Sequence, residues 1–135
     1  DIYELGRDVD PFVIAEGTRM GHVHLSVKNS RESSSFYQES LSLEDKFTIP
    51  HASWIASGDY HHHLAVNEWG GKNLSPREHR MTGLAYYTVE VENKEELLKV
   101  FAQSQTSKAI TQWLSSAEFS VTDKDGIVTR VRVGN

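Results

Sequence analysis

Short segments of the chain alternate strictly between apolar and polar residues, and two longer segments place apolar residues at helical spacing instead. The first alternating segment covers residues 20–27. Its apolar positions are Val23, Leu25 and Val27. The polar positions between them are His22, His24 and Ser26. A period of two predicts a strand with one apolar face and one polar face that carries histidines.

The same order of predicted elements then occurs twice along the chain. In the first half a helix capped by Asn29 or Ser30 follows the strand, and strands are predicted over 46–49, 52–56 and 60–67. In the second half a strand over 84–91 leads to a helix capped by Asn93, and then to strands over 109–113, 117–122 and 127–133. We therefore predict an α+β fold of two βαβββ modules, about 20–69 and 82–135, with a lead-in segment over 1–19. An unrelated α+β sandwich is the alternative.

Composition narrows the class of protein. The chain has 135 residues, 38% of them hydrophobic and 24% charged, which is typical of one folded domain. Its net charge is −5 and its basic residues are scattered, so nucleic acid is not an expected partner. Cysteine is absent, and no apolar run is long enough for a membrane span, so we expect a cytoplasmic protein. Because the chain begins at Asp1 rather than Met, we expect it to be processed or cut from a longer protein.

Histidine is the residue type most clearly concentrated where chemistry is possible. His22 and His24 share one face of the first strand, and a run of three histidines occupies 61–63, whereas His51 and His79 lie in predicted loops. Imidazole is the commonest metal ligand and the usual acid–base group near neutral pH. Alternatively, these rings merely line a polar sheet face. Inside a strand, at most two of the three consecutive rings could share one site without a bulge.

A carboxylate partner for these histidines is not evident. Iron(II) sites often combine two histidines with one carboxylate, but the strands offer only Glu90 and Glu118, both interpreted as solvent-facing. Asp123 and Asp125 are interpreted as turn formers. Arg130 shares one face of the last strand with Arg132, where both are expected to be solvated.

Two segments resemble a known superfamily. Gly-His-Val-His-Leu at 21–25, followed by a helix with Phe36 and Tyr37, resembles the opening of a vicinal oxygen chelate (glyoxalase/bleomycin resistance/dioxygenase) module. Tyr-His-His-His-Leu-Ala-Val-Asn-Glu-Trp at 60–69, together with residues 83–89, resembles the C-terminal half of bacillus-type catechol 2,3-dioxygenases. The similarity extends over about 1–133, and residues 1–5 resemble the linker between the halves of those longer proteins.

The resemblance implies roles for particular residues. His22 matches the metal ligand on the first strand, and His62 is the best match to the histidine that assists proton transfer, with the choice among 61–63 left open. In the second module the positions of a ligand His and a ligand Glu are occupied by Tyr86 and Arg130. A complementary N-terminal half or partner subunit would then supply the missing ligands, whereas a homodimer would add no carboxylate.

These observations lead to two hypotheses of different classes. The first is a domain of a non-heme Fe(II) extradiol dioxygenase that acts on a small, catechol-like aromatic substrate, with His22 as metal ligand and His62 as catalytic residue. The second is a metal-free small-molecule binding or structural domain of the same superfamily. A third, glyoxalase-type isomerisation, needs more carboxylates than the strands offer. Fe(II) is favoured over other divalent metals. The isolated chain is expected to bind metal weakly or not at all. No substrate-binding residue is assigned.

Overall fold

A computed structural model describes residues 13–134, which form two modules of one helix and four strands each. The first module consists of β1 (Val23–Ser26), α1 (Ser30–Leu41), β2 (Glu44–Ile49), β3 (Ala52–Ala56) and β4 (Leu64–Asn67). The second consists of β5 (Tyr87–Val91), α2 (Lys94–Thr106), β6 (Ile110–Ser115), β7 (Glu118–Thr122) and β8 (Val128–Val133).

Each module folds its strands into one mixed sheet with the same topology. The first sheet has the order β1-β4-β3-β2 and the second the order β5-β8-β7-β6. In each, the first and last strands of the module run parallel and the other neighbours run antiparallel. The predicted pair of βαβββ modules in an α+β fold is therefore confirmed.

Both helices begin where the sequence places a capping asparagine. The Asn29 side chain accepts a hydrogen bond from the Glu32 amide at 3.0 Å, and Asn93 accepts one from Glu96 at 2.9 Å. Each bond satisfies one of the amides that a helix leaves without a partner in its first turn.

One hydrophobic core joins the two modules. Helices α1 and α2 pack on each other, and each also packs on the sheet of its own module. The buried residues of this core come from both modules: Leu25, Val27, Tyr37, Leu41, Ile55, Leu64, Val66, Leu97, Val100, Phe119, Val121 and Val131. Each sheet thus turns one face to the helices, and we call the opposite one its outer face.

A buried polar contact reinforces this junction. The Tyr37 hydroxyl on α1 donates to Asp123 Oδ2 at 2.5 Å, and Asp123 Oδ1 accepts from the amides of Asp125 and Ile127. Burial raises the pKa of the Asp123 carboxyl, although these hydrogen bonds oppose the shift. Asp123 is therefore a turn former, as predicted, and it also ties the turn before β8 to the first module.

Three predicted strands begin three or four residues later than expected. Strand β1 starts at Val23 rather than residue 20, β4 at Leu64 rather than 60, and β5 at Tyr87 rather than 84. The ladder between β1 and β4 begins at the pair Val23 and Leu64. Residues that precede this pair are therefore not paired in that ladder. Of the predicted lead-in, residues 1–12 lie outside the described part of the chain, and residues 13–19 form neither helix nor strand. Within residues 13–134, no helix has the length and apolar character needed to cross a membrane.

Candidate metal and substrate site

The first strand places two imidazoles at an edge of the first sheet. His24 lies on β1 between the half-buried Val23 and the buried Leu25, so its ring points to the outer face. His22 directly precedes β1, and its ring centroid lies 4.8 Å from that of His24. Both side chains are exposed.

The histidine run lies in a bend rather than in a strand. Residues 61–63 connect the turn after β3 to β4, and the bend is closed by backbone bonds from His63 N to Ile55 O and from Val23 N to His63 O, both 3.0 Å. The prediction that this run belongs to a strand is therefore wrong. Because strand alternation does not apply to unpaired residues, His61 and His62 can contact each other while His63 turns to the Ser57 amide.

His62 completes a cluster with the two imidazoles of the first strand. Its Nε2 lies 3.4 Å from Nε2 of His24, and its ring centroid lies 4.4 Å from that of His22. One ring nitrogen from each of the three residues lies within 4.8 Å of the others. Across residues 13–134 this is the one group of three or more potential ligands so closely spaced, and we call it the histidine cluster.

The environment of His62 favours its neutral form. Desolvation lowers the pKa of His62, and repulsion from the imidazoles of His22, His61 and His24 lowers it further. Its Nδ1 lies 2.7 Å from Nδ1 of His61. In the tautomer in which His62 Nδ1 donates to His61, Nε2 is the unprotonated nitrogen and can take up a proton or bind a cation.

A row of side chains extends from the histidine cluster across the outer face. Cross-strand register pairs His24 with Ala65, Ala65 with Trp54, and Trp54 with Phe47. The rings of Trp54 and Phe47 lie 5.5 Å apart, and Phe47 is 60% exposed. Ala65 is only 2% exposed, so its methyl group is covered, and the accessible part of the row is the exposed Phe47 ring beside the half-buried Trp54.

The second sheet carries a different arrangement at the equivalent place. Tyr86 directly precedes β5 as His22 precedes β1, and the guanidinium carbon of Arg130 lies 3.8 Å from the centre of the Tyr86 ring. Arg130 also approaches Glu118 at 3.8 Å, and Arg132 pairs with Glu90 at 2.7 Å. The arginines therefore have partners rather than solvent alone, and a guanidinium lies over the ring at the position equivalent to His22.

Comparison with known sequences finds a partial relative of this chain. The chain is 37% identical over 82 residues, 59% of its length, to the catechol-2,3-dioxygenase of Bacillus subtilis strain 168. It spans only 29% of that relative. No model of a known protein family matches the sequence.

Solved structures match over most of the chain. A glyoxylase/bleomycin resistance protein/dioxygenase domain from Frankia sp. EAN1pec aligns with a TM-score of 0.67, covering 87% of this chain and 98% of the other at 19% identity. The fosfomycin resistance protein FosX of Listeria monocytogenes aligns with a TM-score of 0.64, covering 87% and 94% at 13% identity. The chain has the glyoxalase/bleomycin resistance/dioxygenase fold. The resemblance to this superfamily and to a catechol 2,3-dioxygenase is thus confirmed, while the activity is not decided by it.

Within this fold, the predicted site residues are partly brought together. His22 and His62 lie in one cluster, whereas His51 and His79 lie in loops, with His51 Nδ1 3.7 Å from a Glu68 oxygen. Sequence reasoning assigned no role to His24, although its spacing of two from His22 was the available signal. It also assigned no substrate contact, and the row from Ala65 to Phe47 became visible only through strand register.

Proposed function

We propose that the chain is a domain of a non-heme Fe(II) extradiol dioxygenase that acts on small, catechol-like aromatics. One observation carries the proposal: His22 and His62 lie in one cluster at the outer face of the first sheet, which also carries the half-buried ring of Trp54. A metal ligand, a proton-transfer group and a surface for a flat ring are the parts that ring cleavage needs.

Each of these side chains has a task that its position suits. His22 holds the metal, because it lies at the cluster edge with an accessible ring nitrogen. His62 moves a proton, since its ring is favoured in the neutral form and lies next to His22. Trp54 and Phe47 orient the substrate ring by stacking. Iron, when bound, supplies coordination of the substrate oxygens and of O₂ in one place.

The iron site needs ligands from outside this chain. Tyr86 and Arg130 stand where the resemblance implies a His and a Glu, and the histidine cluster contains no carboxylate. A complementary half that brings a His and a Glu to His22 would complete the facial set of two histidines and one carboxylate. That the chain spans 29% of its Bacillus subtilis relative agrees with such a half, and a FosX structure complexed with Mn(II) shows that this fold can carry a divalent metal.

An assay with and without the second half tests the proposal. The chain alone, and the chain joined to the N-terminal half of the Bacillus subtilis relative, are loaded anaerobically with Fe(II) and given catechol and O₂. We expect the yellow ring-cleaved product only from the joined protein. Product from the chain alone, above that from free iron, would refute the need for a second half, and a folded, iron-loaded but inert fusion would refute the dioxygenase proposal.

A second candidate function is a metal-free binding or structural domain. The observation that favours it is the Arg130 guanidinium over the Tyr86 ring, which fills the equivalent position of the second module with a cation of the protein's own. The same assay separates the two, because this candidate predicts a stable fusion that retains no iron.

A further inference from the structure

The histidine cluster has the spacing of a metal site that needs no residue from another chain. A tetrahedral zinc ion with Zn–N bonds of about 2.0–2.1 Å holds two imidazole nitrogens about 3.4 Å apart. The Nε2 atoms of His24 and His62 are 3.4 Å apart. The ligand nitrogen of His22 lies within 4.8 Å of both, and its exposed side chain can close the remaining distance by rotation.

The backbone that carries these three rings is fixed on both sides. His24 lies in the ladder between β1 and β4, where it pairs with Ala65. The bend that carries His62 is joined to Val23, the residue between the other two ligands, by the bond from Val23 N to His63 O. The three ligands therefore belong to one hydrogen-bonded unit, so binding an ion requires side-chain adjustment and little backbone change.

A second observation points to metal binding rather than to a chance grouping of imidazoles. Metal-binding histidines usually have the nitrogen that faces away from the metal held by a hydrogen bond. His62 has the geometry for this arrangement: its Nδ1 lies 2.7 Å from Nδ1 of His61 while its Nε2 faces His24, so the tautomer with the proton on His62 Nδ1 donates to His61 and leaves Nε2 to bind the ion. His61 is in turn placed by Tyr60, whose ring centroid lies 4.2 Å from its own.

We propose that this chain by itself binds one zinc-class divalent ion through His22, His24 and His62. This departs from the expectation from sequence that the isolated chain binds metal weakly or not at all, because that expectation counted only His22 as a ligand. Three imidazoles without a carboxylate favour Zn²⁺, Co²⁺, Ni²⁺ and Cu²⁺ over Fe²⁺, Mn²⁺ and Mg²⁺. Three protein ligands leave at least one coordination position open toward the outer face, which is the pattern of a reactive zinc site rather than a closed structural one.

This site differs from the iron site of the proposed function, with which it shares only His22 as a ligand. In the three-histidine site His62 is a ligand, whereas in the completed iron site it carries protons. The two states exclude each other at His62, so a zinc-class ion would block ring cleavage in the joined protein. The proposal itself does not depend on dioxygenase activity.

Titration of the chain alone with Zn²⁺ and Co²⁺ tests the proposal. We expect one ion per chain by calorimetry, and the intense visible absorption of four-coordinate cobalt. Replacing His24 or His62 by Ala should weaken binding by at least ~100-fold, because loss of a ligand exceeds the ~10- to 100-fold cost of losing an outer partner. His61→Ala removes only the hydrogen-bond partner of a ligand, so it should weaken metal binding by ~10- to 100-fold.

Matched controls are His51→Ala and His79→Ala, which remove exposed loop histidines outside the cluster. Both should bind like the unaltered chain, and circular dichroism checks that every variant is folded. If the His24→Ala variant bound the ion as tightly as the unaltered chain, the ion would belong to the histidine run alone and the proposal would be wrong. The absence of one-to-one binding by the unaltered chain would also overturn it. Neither result would bear on ring cleavage by the joined protein, and an inert joined protein would not bear on zinc binding.

Discussion

Tyr37 and Asp123 show at the scale of single residues how a buried polar contact fixes the relation between the modules. The Tyr37 hydroxyl is buried and donates to a carboxylate that belongs to the other module. Removing one partner of such a contact leaves a buried acceptor short of a hydrogen bond, which is more costly than losing an exposed one.

Tyr37→Phe should therefore lower the free energy of unfolding by about 1–3 kcal/mol. Urea denaturation followed by circular dichroism measures it. Tyr60→Phe is the matched control, since Tyr60 is part-exposed in a loop and should change stability little. Equal effects of the two substitutions would show that the Tyr37 hydroxyl contributes nothing specific.

Asp123 should also make stability depend on pH. Burial raises the pKa of the Asp123 carboxyl in the folded chain above 3.8. Between pH 3.8 and this raised pKa, the folded chain therefore binds more protons than the unfolded chain. Stability from this group is then greatest below pH 3.8 and falls as pH rises through the raised pKa. Relative to Asp123→Asn, the unaltered chain should lose free energy of unfolding over that range. A difference between the two proteins that stays constant with pH would contradict the assignment.

At the scale of elements, the turn before β8 also anchors the loop between the modules. Gly126 has a φ of 75°, and the Asp125 carbonyl beside it accepts from the Arg77 amide at 2.7 Å. A Cβ atom at Gly126 would collide with the backbone of Arg77. The loop can lie against this turn only because residue 126 has no side chain.

Gly126→Ala should therefore destabilise the chain by more than the ~1 kcal/mol typical of alanine at positive φ. Gly58→Ala is the control, because Gly58 has a φ of 67° but open space around its Cβ position. Thermal unfolding of both variants gives the comparison. If Gly58→Ala were as damaging as Gly126→Ala, the packing of the loop on the turn would not be the reason.

Local patterns in the sequence were enough to predict the elements but not the site. Alternation over 23–27 and helical spacing after Asn29 and Asn93 are local signals, so the order of elements followed from them. The bend over 61–63 could not be predicted in this way, because it depends on where β1 begins and β3 ends, which leaves these residues outside the ladders. The approach of His62 to His24 joins residues 38 apart, a contact that no periodicity encodes.

At the scale of the whole molecule, the two outer faces differ in chemistry although the modules share one topology. The first presents histidines and aromatic rings, and the second presents arginines paired with Tyr86, Glu118 and Glu90. The first face is therefore where we propose metal-dependent chemistry on an aromatic ring, and that proposal requires further iron ligands from a complementary half.

Iron content measured beside turnover, for variants of the joined protein, tests this account most directly. His22→Ala should lose both iron and activity, because it removes a ligand from a three-ligand site. His62→Ala should keep iron and lose turnover by ~10²- to 10⁴-fold, as expected for a proton-transfer group. His79→Ala, in an exposed loop, should change neither. If His22→Ala retained full iron and full rate, the histidines of the first sheet would not be the metal site, and the account would be wrong.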